Sequence, residues 1–214
     1  DYLASGNDGM TIHMHGNGQD QIGQIHNAGT TVVHGDVGQC YGYGAKGGKL
    51  FIRGNAAGRP MINSVGSPKL VINGTALDYL AESFMAGDPL NGGGFVIING
   101  IEYDDKGEIL SMETPYPGGN LFSLSSGGAI YVRDPYGRVS SSQLNGGDFT
   151  DLTPADWDIL EPLLVENETH FGIPLAALLT VEGEVRAPEA VYRKIIPIKS
   201  KALSVEADWG GSHD

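Results

Sequence analysis

A glycine turn that returns at a nearly constant interval restricts this chain more than any other feature. The turns His15-Gly16, His34-Gly35, Arg53-Gly54, Asn73-Gly74 and Asn99-Gly100 lie 19, 19, 20 and 26 residues apart, and the longest step contains the run Gly92-Gly93-Gly94. A short apolar run precedes each turn. A sixth such run, Ala129 to Arg133, ends at Asp134 where the others have glycine. Strand-plus-turn units with a period of about 20 residues predict a solenoid. The 33 glycines of the chain recur with this unit, so they are not the mark of a low-complexity segment.

The repeat predicts where side chains point. Two places before each turn stand Met14, Val33, Ile52, Ile72, Ile98 and Val132; four places before stand Ile12, Thr31, Leu50, Leu70, Val96 and Ile130. Strand side chains alternate faces, so these two nearly all-apolar columns share one face and are expected to fill the interior. On the opposite face, one place before the turn, is a polar column of His15, His34, Arg53, Asn73, Asn99 and Arg133. Three places before it, on that same face, are His13, Val32, Phe51, Val71, Ile97 and Tyr131. A solvated strand would be polar there. An apolar stripe of Val32, Phe51, Val71, Ile97 and Tyr131 therefore predicts cover by another part of the chain or by a partner, and these five are the candidate partner-contact residues.

Residues 1–10 read as a lead-in, 11–147 as the repeat domain, 148–203 as a helical C-terminal extension and 204–214 as a flexible tail. Between Ile101 and Leu124 the repeat is interrupted. Asp104-Asp105-Lys106-Gly107 predicts a hairpin turn between Ile101-Glu102-Tyr103 and Glu108 to Met112. After Asn145-Gly146-Gly147 the period changes. Thr153 as N-cap, Pro154 at the first position and Asp156 three after the cap predict a helix start, followed by Trp157, Leu160, Leu163 and Leu164 at helical spacing. Pro162 predicts a kink or a division into two short helices. Ile173 to Leu179 reads as a second short helix, and Tyr192 to Pro197 as extended.

The net charge of −13 argues against nucleic acid and anionic membrane surfaces. No apolar run approaches the roughly 20 residues of a membrane-spanning helix, so no membrane insertion is expected. A single cysteine, Cys40, excludes an internal disulfide framework and fits a reducing, cytoplasmic compartment. No signal peptide is visible, and the start at Asp1 without Met suggests a processed product or a piece of a longer chain.

Few side chains have a pattern that chemistry could use. His13 and His15 share a strand face, and His34 is the repeat neighbour of His15, so three imidazoles could hold zinc. No carboxylate or cysteine lies in the same columns to complete such a site, and a solvated or partner-facing polar ladder is the favoured reading. Cys40 would need a nearby base such as His26 or His34 to act as a nucleophile; a buried structural thiol is favoured. Glu102, Asp104 and Asp105 could bind calcium but read better as a solvated turn. A polysaccharide-cleaving face would need acids in register, and no column supplies them. Gly35, Gly38 and Gly42 could cradle a phosphate, but no helix start follows them. Gly16, Gly35, Gly38, Gly42, Gly54, Gly74 and Gly100 read as structural turn glycines. No catalytic, cofactor or metal residue is assigned.

Gly35-Asp36-Val37-Gly38-Gln39-Cys40-Tyr41-Gly42 fits a GxxGxxxG pattern that resembles the C-terminal domain of the glutamate synthase large subunit. Lys46 to Ala56 looks like the next unit of that domain, and Tyr192-Arg193-Lys194-Ile195-Ile196-Pro197 with Ala202-Leu203 is similar to its ending. The resemblance covers roughly residues 11–203. It implies an all-β fold, a right-handed parallel β-helix with a short helical C-terminal extension. It further implies a non-catalytic scaffold domain or subunit of a glutamate-synthase-type oxidoreductase or amidotransferase complex. Partners would be the amidotransferase and the flavin- and iron–sulfur-bearing polypeptides, with no cofactor in this chain. The same fold resembles a subunit of formylmethanofuran dehydrogenase, which is the alternative parent, and a carbohydrate-active or metal-binding β-helix protein is a further one.

Overall fold

The computed structural model describes residues 1–198; Ala202-Leu203 and the expected tail 204–214 lie outside the described residues. The chain forms β1 (Asp8–His15), β2 (Ala28–His34), β3 (Lys49–Ile52), β4 (Lys69–Ile72), β5 (Phe95–Ile98), β6 (Ile101–Tyr103), β7 (Ile109–Ser111), β8 (Ala129–Arg133) and β9 (Gly147–Thr150). Then come α1 (Pro154–Phe171), α2 (Leu175–Leu179), β10 (Thr180–Val181), β11 (Glu184–Val185) and β12 (Tyr192–Pro197). Eight strands make one sheet in the order β1-β2-β3-β4-β5-β8-β12-β9. The first six are parallel, while β12 runs antiparallel to both β8 and β9. β6–β7 and β10–β11 form two small antiparallel sheets.

This architecture corrects the expected fold class. The chain is mixed α/β, not all-β, and it does not form the right-handed β-helix: one mostly parallel sheet carries an 18-residue helix on its outer face. The physical reason is the backbone conformation between strands. The remainder of each unit is not a second or third strand but a run of residues alternately left-handed. The sets are Gln21, Gly23 and Ile25, then Cys40, Gly42 and Gly44, then Arg59, Met61 and Asn63, then Tyr79, Ala81 and Ser83, then Asn120, Phe122 and Leu124. Left-handed backbone cannot join a strand ladder, so these walls show only isolated bridges such as Val37 with Ala56 and Ala56 with Ala76. Successive units hydrogen-bond nevertheless: Gln21 N donates to Gln39 O, Cys40 N to Gly58 O, and Arg59 N to Asp78 O. Those bonds hold a conformation that non-glycine residues adopt only at a cost.

The strand register follows the repeat. Val33 pairs with Ile52, Ile52 with Ile72, Ile72 with Ile98 and Ile98 with Val132. With Leu50, Leu70, Val96 and Ile130 they form the inner core, closed on the far side by Tyr41, Met61, Leu80, Phe84 and Phe122. β9 straddles the 147/148 boundary and lies in the same sheet as β12, which falls wholly beyond it.

The turn glycines serve two purposes. Gly35, Gly54 and Gly74 have ordinary φ, but a Cβ on each would collide with the preceding unit, at Asn17, Asp36 and Asn55 respectively. Those three side chains accept backbone N–H bonds from Asp36, Asn55 and Thr75 at 2.7–3.0 Å. Gly38 likewise faces the Asp20 carboxylate. Gly16, Gly42 and Gly100 instead have positive φ.

α1 begins as expected: Thr153 and Asp156 form a reciprocal capping box with Pro154 in the first turn. Pro162 lies inside one continuous helix, so the expected division into two short helices does not occur. Pro162 and Asp158 both lie on the exposed face, so the carbonyl freed by the missing N–H meets water, and packing of Leu160, Leu163 and Leu164 carries the helix through.

Candidate functional site

The outer stripe is covered by the chain itself. Val32, Phe51, Val71, Ile97 and Tyr131 are each 0% exposed, in one cluster with Leu160, Leu163, Leu164, Leu178 and Val181. As partner-contact candidates these five are corrected: the helices that the same chain supplies bury them, so they offer no surface. An 18-residue helix is about 27 Å long, and the five spacings from β8 to β1 span about 24 Å. One helix is therefore long enough to cross the stripe from end to end.

Polar contacts fix that helix along its length. At its start, Asp156 Oδ1 accepts from Lys194 Nζ and Tyr131 OH, both at 2.6 Å. Asp156 is fully buried and Lys194 nearly so. Burial opposes the charge of Asp156, but the bonds from Lys194, Tyr131 and Thr153 outweigh it and hold the carboxyl below its usual range. Further along, Asn167 exchanges two bonds with Asn73 at 2.9 Å, Asn99 donates to Asn73 Oδ1, and Tyr192 OH donates to Asn99 Oδ1. Lys49 Nζ then meets both oxygens of Glu166 at 2.6–2.7 Å. After α1, the buried Arg133 donates to Leu178 O and Thr180 O at the C-terminal end of α2, and to Ser111 Oγ.

A histidine cluster lies under the last turn of α1. His13, His15 and His34 are brought together as the register expects. His15 stacks on His34 at 4.2 Å between ring centroids, and His13 Nδ1 lies 3.1 Å from His34 Nε2. His170 adds an imidazole 5.5 Å from His13, edge-on to Phe51, while Phe171 stands edge-on to His34. Stacked rings present their nitrogens side by side instead of converging on a point. Among the described residues no group of three or more His, Cys, Asp or Glu is arranged to hold a metal ion.

The remaining candidates separate. Burial pushes the Cys40 thiol up, against a smaller pull from Arg59. His26 is buried and engaged, with Nδ1 facing Gly47 O at 3.0 Å and Nε2 facing Thr31 Oγ1 at 3.1 Å. Asp104 Oδ1 accepts from Lys106 N and Glu108 N, closing the β6–β7 hairpin. A cleft of about 780 Å³ runs between Ser125–Gly128 and β12, and the ammonium that lines it, Lys194, is bound to Asp156.

The open surface lies elsewhere. Among the described residues β1 has a strand partner on one side only. Its eight residues are mostly exposed, and Tyr2, Leu3, Met10 and Ile25 stand out at the same end with 41–62% exposure. A strand repeat implies such an open end, but Asn167, Glu166 and His170 were not singled out from the sequence. Asn167 was detectable: it continues the spacing of Leu160, Leu163 and Leu164, where a polar residue on an apolar face needs a partner.

Comparison with protein-family models finds no match, and comparison with curated proteins finds no significant match. No helix among the described residues is long and apolar enough to cross a membrane.

Proposed function

We propose that this chain is a non-catalytic scaffold domain or subunit of a glutamate-synthase-type oxidoreductase or amidotransferase assembly in the cytoplasm. Its catalytic groups, flavin and iron–sulfur clusters sit on partner polypeptides. The observation that carries this reading is the unpaired outer edge of β1. Met10 N and O are tied to the Asn7 side chain and the register shifts between Asp8 and Thr11, so the regular edge runs from Thr11 to His15. That edge, bordered by exposed apolar side chains, is a template for one more strand. The occupant is an edge strand of a catalytic partner that carries basic side chains. Asp1, Asp8 and Asp20 lie at this end, and no Lys or Arg occurs before Lys46. The buried Asp156, Asn73, Asn99, Arg133, Asn167 and Lys194 are spent on bonds within the chain, which suits a rigid support.

The test is native co-purification from the source with flavin and iron quantified, repeated with Met10→Lys. Recovery of stoichiometric flavin- and iron-bearing polypeptides with the natural chain, and loss of most of them with the variant, is expected. Recovery of the chain alone, turning over a substrate such as a polysaccharide by itself, overturns the proposal.

A further inference from the structure

The histidine cluster joins the paired strands β1 and β2 to the last turn of α1. His13 and His15 come from β1, His34 from β2 and His170 from the last turn of α1. Phe51 of β3 and Phe171 of α1 supply the apolar sides. The charged groups that face this cluster are Lys49 and Arg53 at β3 and Glu166 on α1. Among the described residues Glu166 is the one carboxylate that faces the cluster, and Lys49 already holds it. The Arg53 guanidinium lies over the Tyr103 ring.

We propose that His34 is the centre of a proton-sensitive clasp, which fastens the last turn of α1 to the edge strands β1 and β2 while its imidazoles are neutral and lets go when they are protonated. The hydrogen-bond geometry requires this. The 3.1 Å contact between His13 Nδ1 and His34 Nε2 needs one ring to donate and the other to accept. When both rings are protonated both nitrogens carry hydrogen, and the bond is replaced by repulsion. The stacked His15 and the nearby His170 add further positive charge, with one already paired carboxylate to offset it. The buried Nε2 of His170 has no hydrogen-bond partner, and Glu166 Oε1 stands 3.7 Å away.

Burial, then the His15, His13 and His170 charges, then Arg53 hold His34 below the ordinary imidazole value of 6.5. Burial also lowers His170, against the opposing pull of Glu166. A lowered folded-state value means the neutral ring is the stable one. The contribution is complete above about pH 6.5 and is lost as pH falls through the folded-state values. His26 titrates in the same direction by burial, but it sits in the inner core with Asn7 and Thr31. Its protonation would loosen the whole fold, not one helix turn.

Amide hydrogen exchange of the whole chain, corrected for intrinsic rates, distinguishes these outcomes. Between about pH 7.5 and about pH 5.5, exchange at Thr169 to Gly172 is expected to accelerate about ten-fold relative to Leu160 to Leu164. His34→Phe keeps an aromatic ring and removes the proton, and is expected to abolish that relative acceleration; His34→Gln gives the same reading should the first variant fail to fold. Equal acceleration of both segments, no acceleration, or its persistence in the variants overturns the clasp.

Discussion

The two ends of the sheet are built on opposite plans. At the far end the parallel series stops at β8; β12 lies antiparallel beside it, and the outermost strand, β9, pairs antiparallel with β12. The final edge there is four residues long and carries Asp148, two features that discourage further pairing. The helix start is pinned by an ion pair with almost no solvent access, and Arg193 both bonds Asp134 at 2.8 Å and covers the Phe149 ring. At the near end β1 is a longer parallel edge without Lys or Pro; it also carries an acid, Asp8, but its register is regular from Thr11 to His15, and the helix finishes on stacked imidazoles. The far end is held by ion pairs. The near end is held by contacts among imidazole rings, beside a surface open to another strand. A fold that fixes one end and leaves the other adjustable is suited to docking at the adjustable end.

Breaking the far end gives the largest effect. Asp156→Ala leaves Lys194 buried without its carboxylate and removes the Asp156 half of the capping box, and is expected to cost about 3–5 kcal/mol in urea unfolding. A loss under about 1 kcal/mol would mean that Lys194 escapes to water and that this end is not locked. Midway, Asn167→Ala removes two bonds to Asn73 and is expected to cost about 1–3 kcal/mol by the same measurement. If it costs as much as Asp156→Ala, the gradient from locked to adjustable is absent. At the near end, Met10→Lys is expected to change the stability of the isolated chain by no more than about 0.5 kcal/mol, since Met10 is 62% exposed. A larger loss would make Met10 part of the fold and remove it as a docking residue.

The legible parts of the fold were those where the sequence repeats. Counting from the turn glycines placed Val33, Ile52, Ile72, Ile98 and Val132 in one column, and the sheet pairs them in that register. The same count put His13, His15 and His34 together, and they are in contact. Thr153, Pro154 and Asp156 marked the helix start through local hydrogen bonding that any such sequence would make. The left-handed walls were not legible, because Arg59, Met61, Tyr79 and Phe122 are not residues that favour positive φ. Bonds from neighbouring units impose that conformation, and a single unit cannot reveal it.

Local sequence therefore determined the period, the strand register and the helix cap, since each depends on residues close together in the chain or related by a constant step. Tertiary structure alone decided that the outer stripe is closed by the chain's own α1, that β12 returns antiparallel between β8 and β9, and that His170 joins histidines more than 130 positions away. Those outcomes depend on which apolar face finds which partner across a long loop, and burial has no direction until both faces are in place.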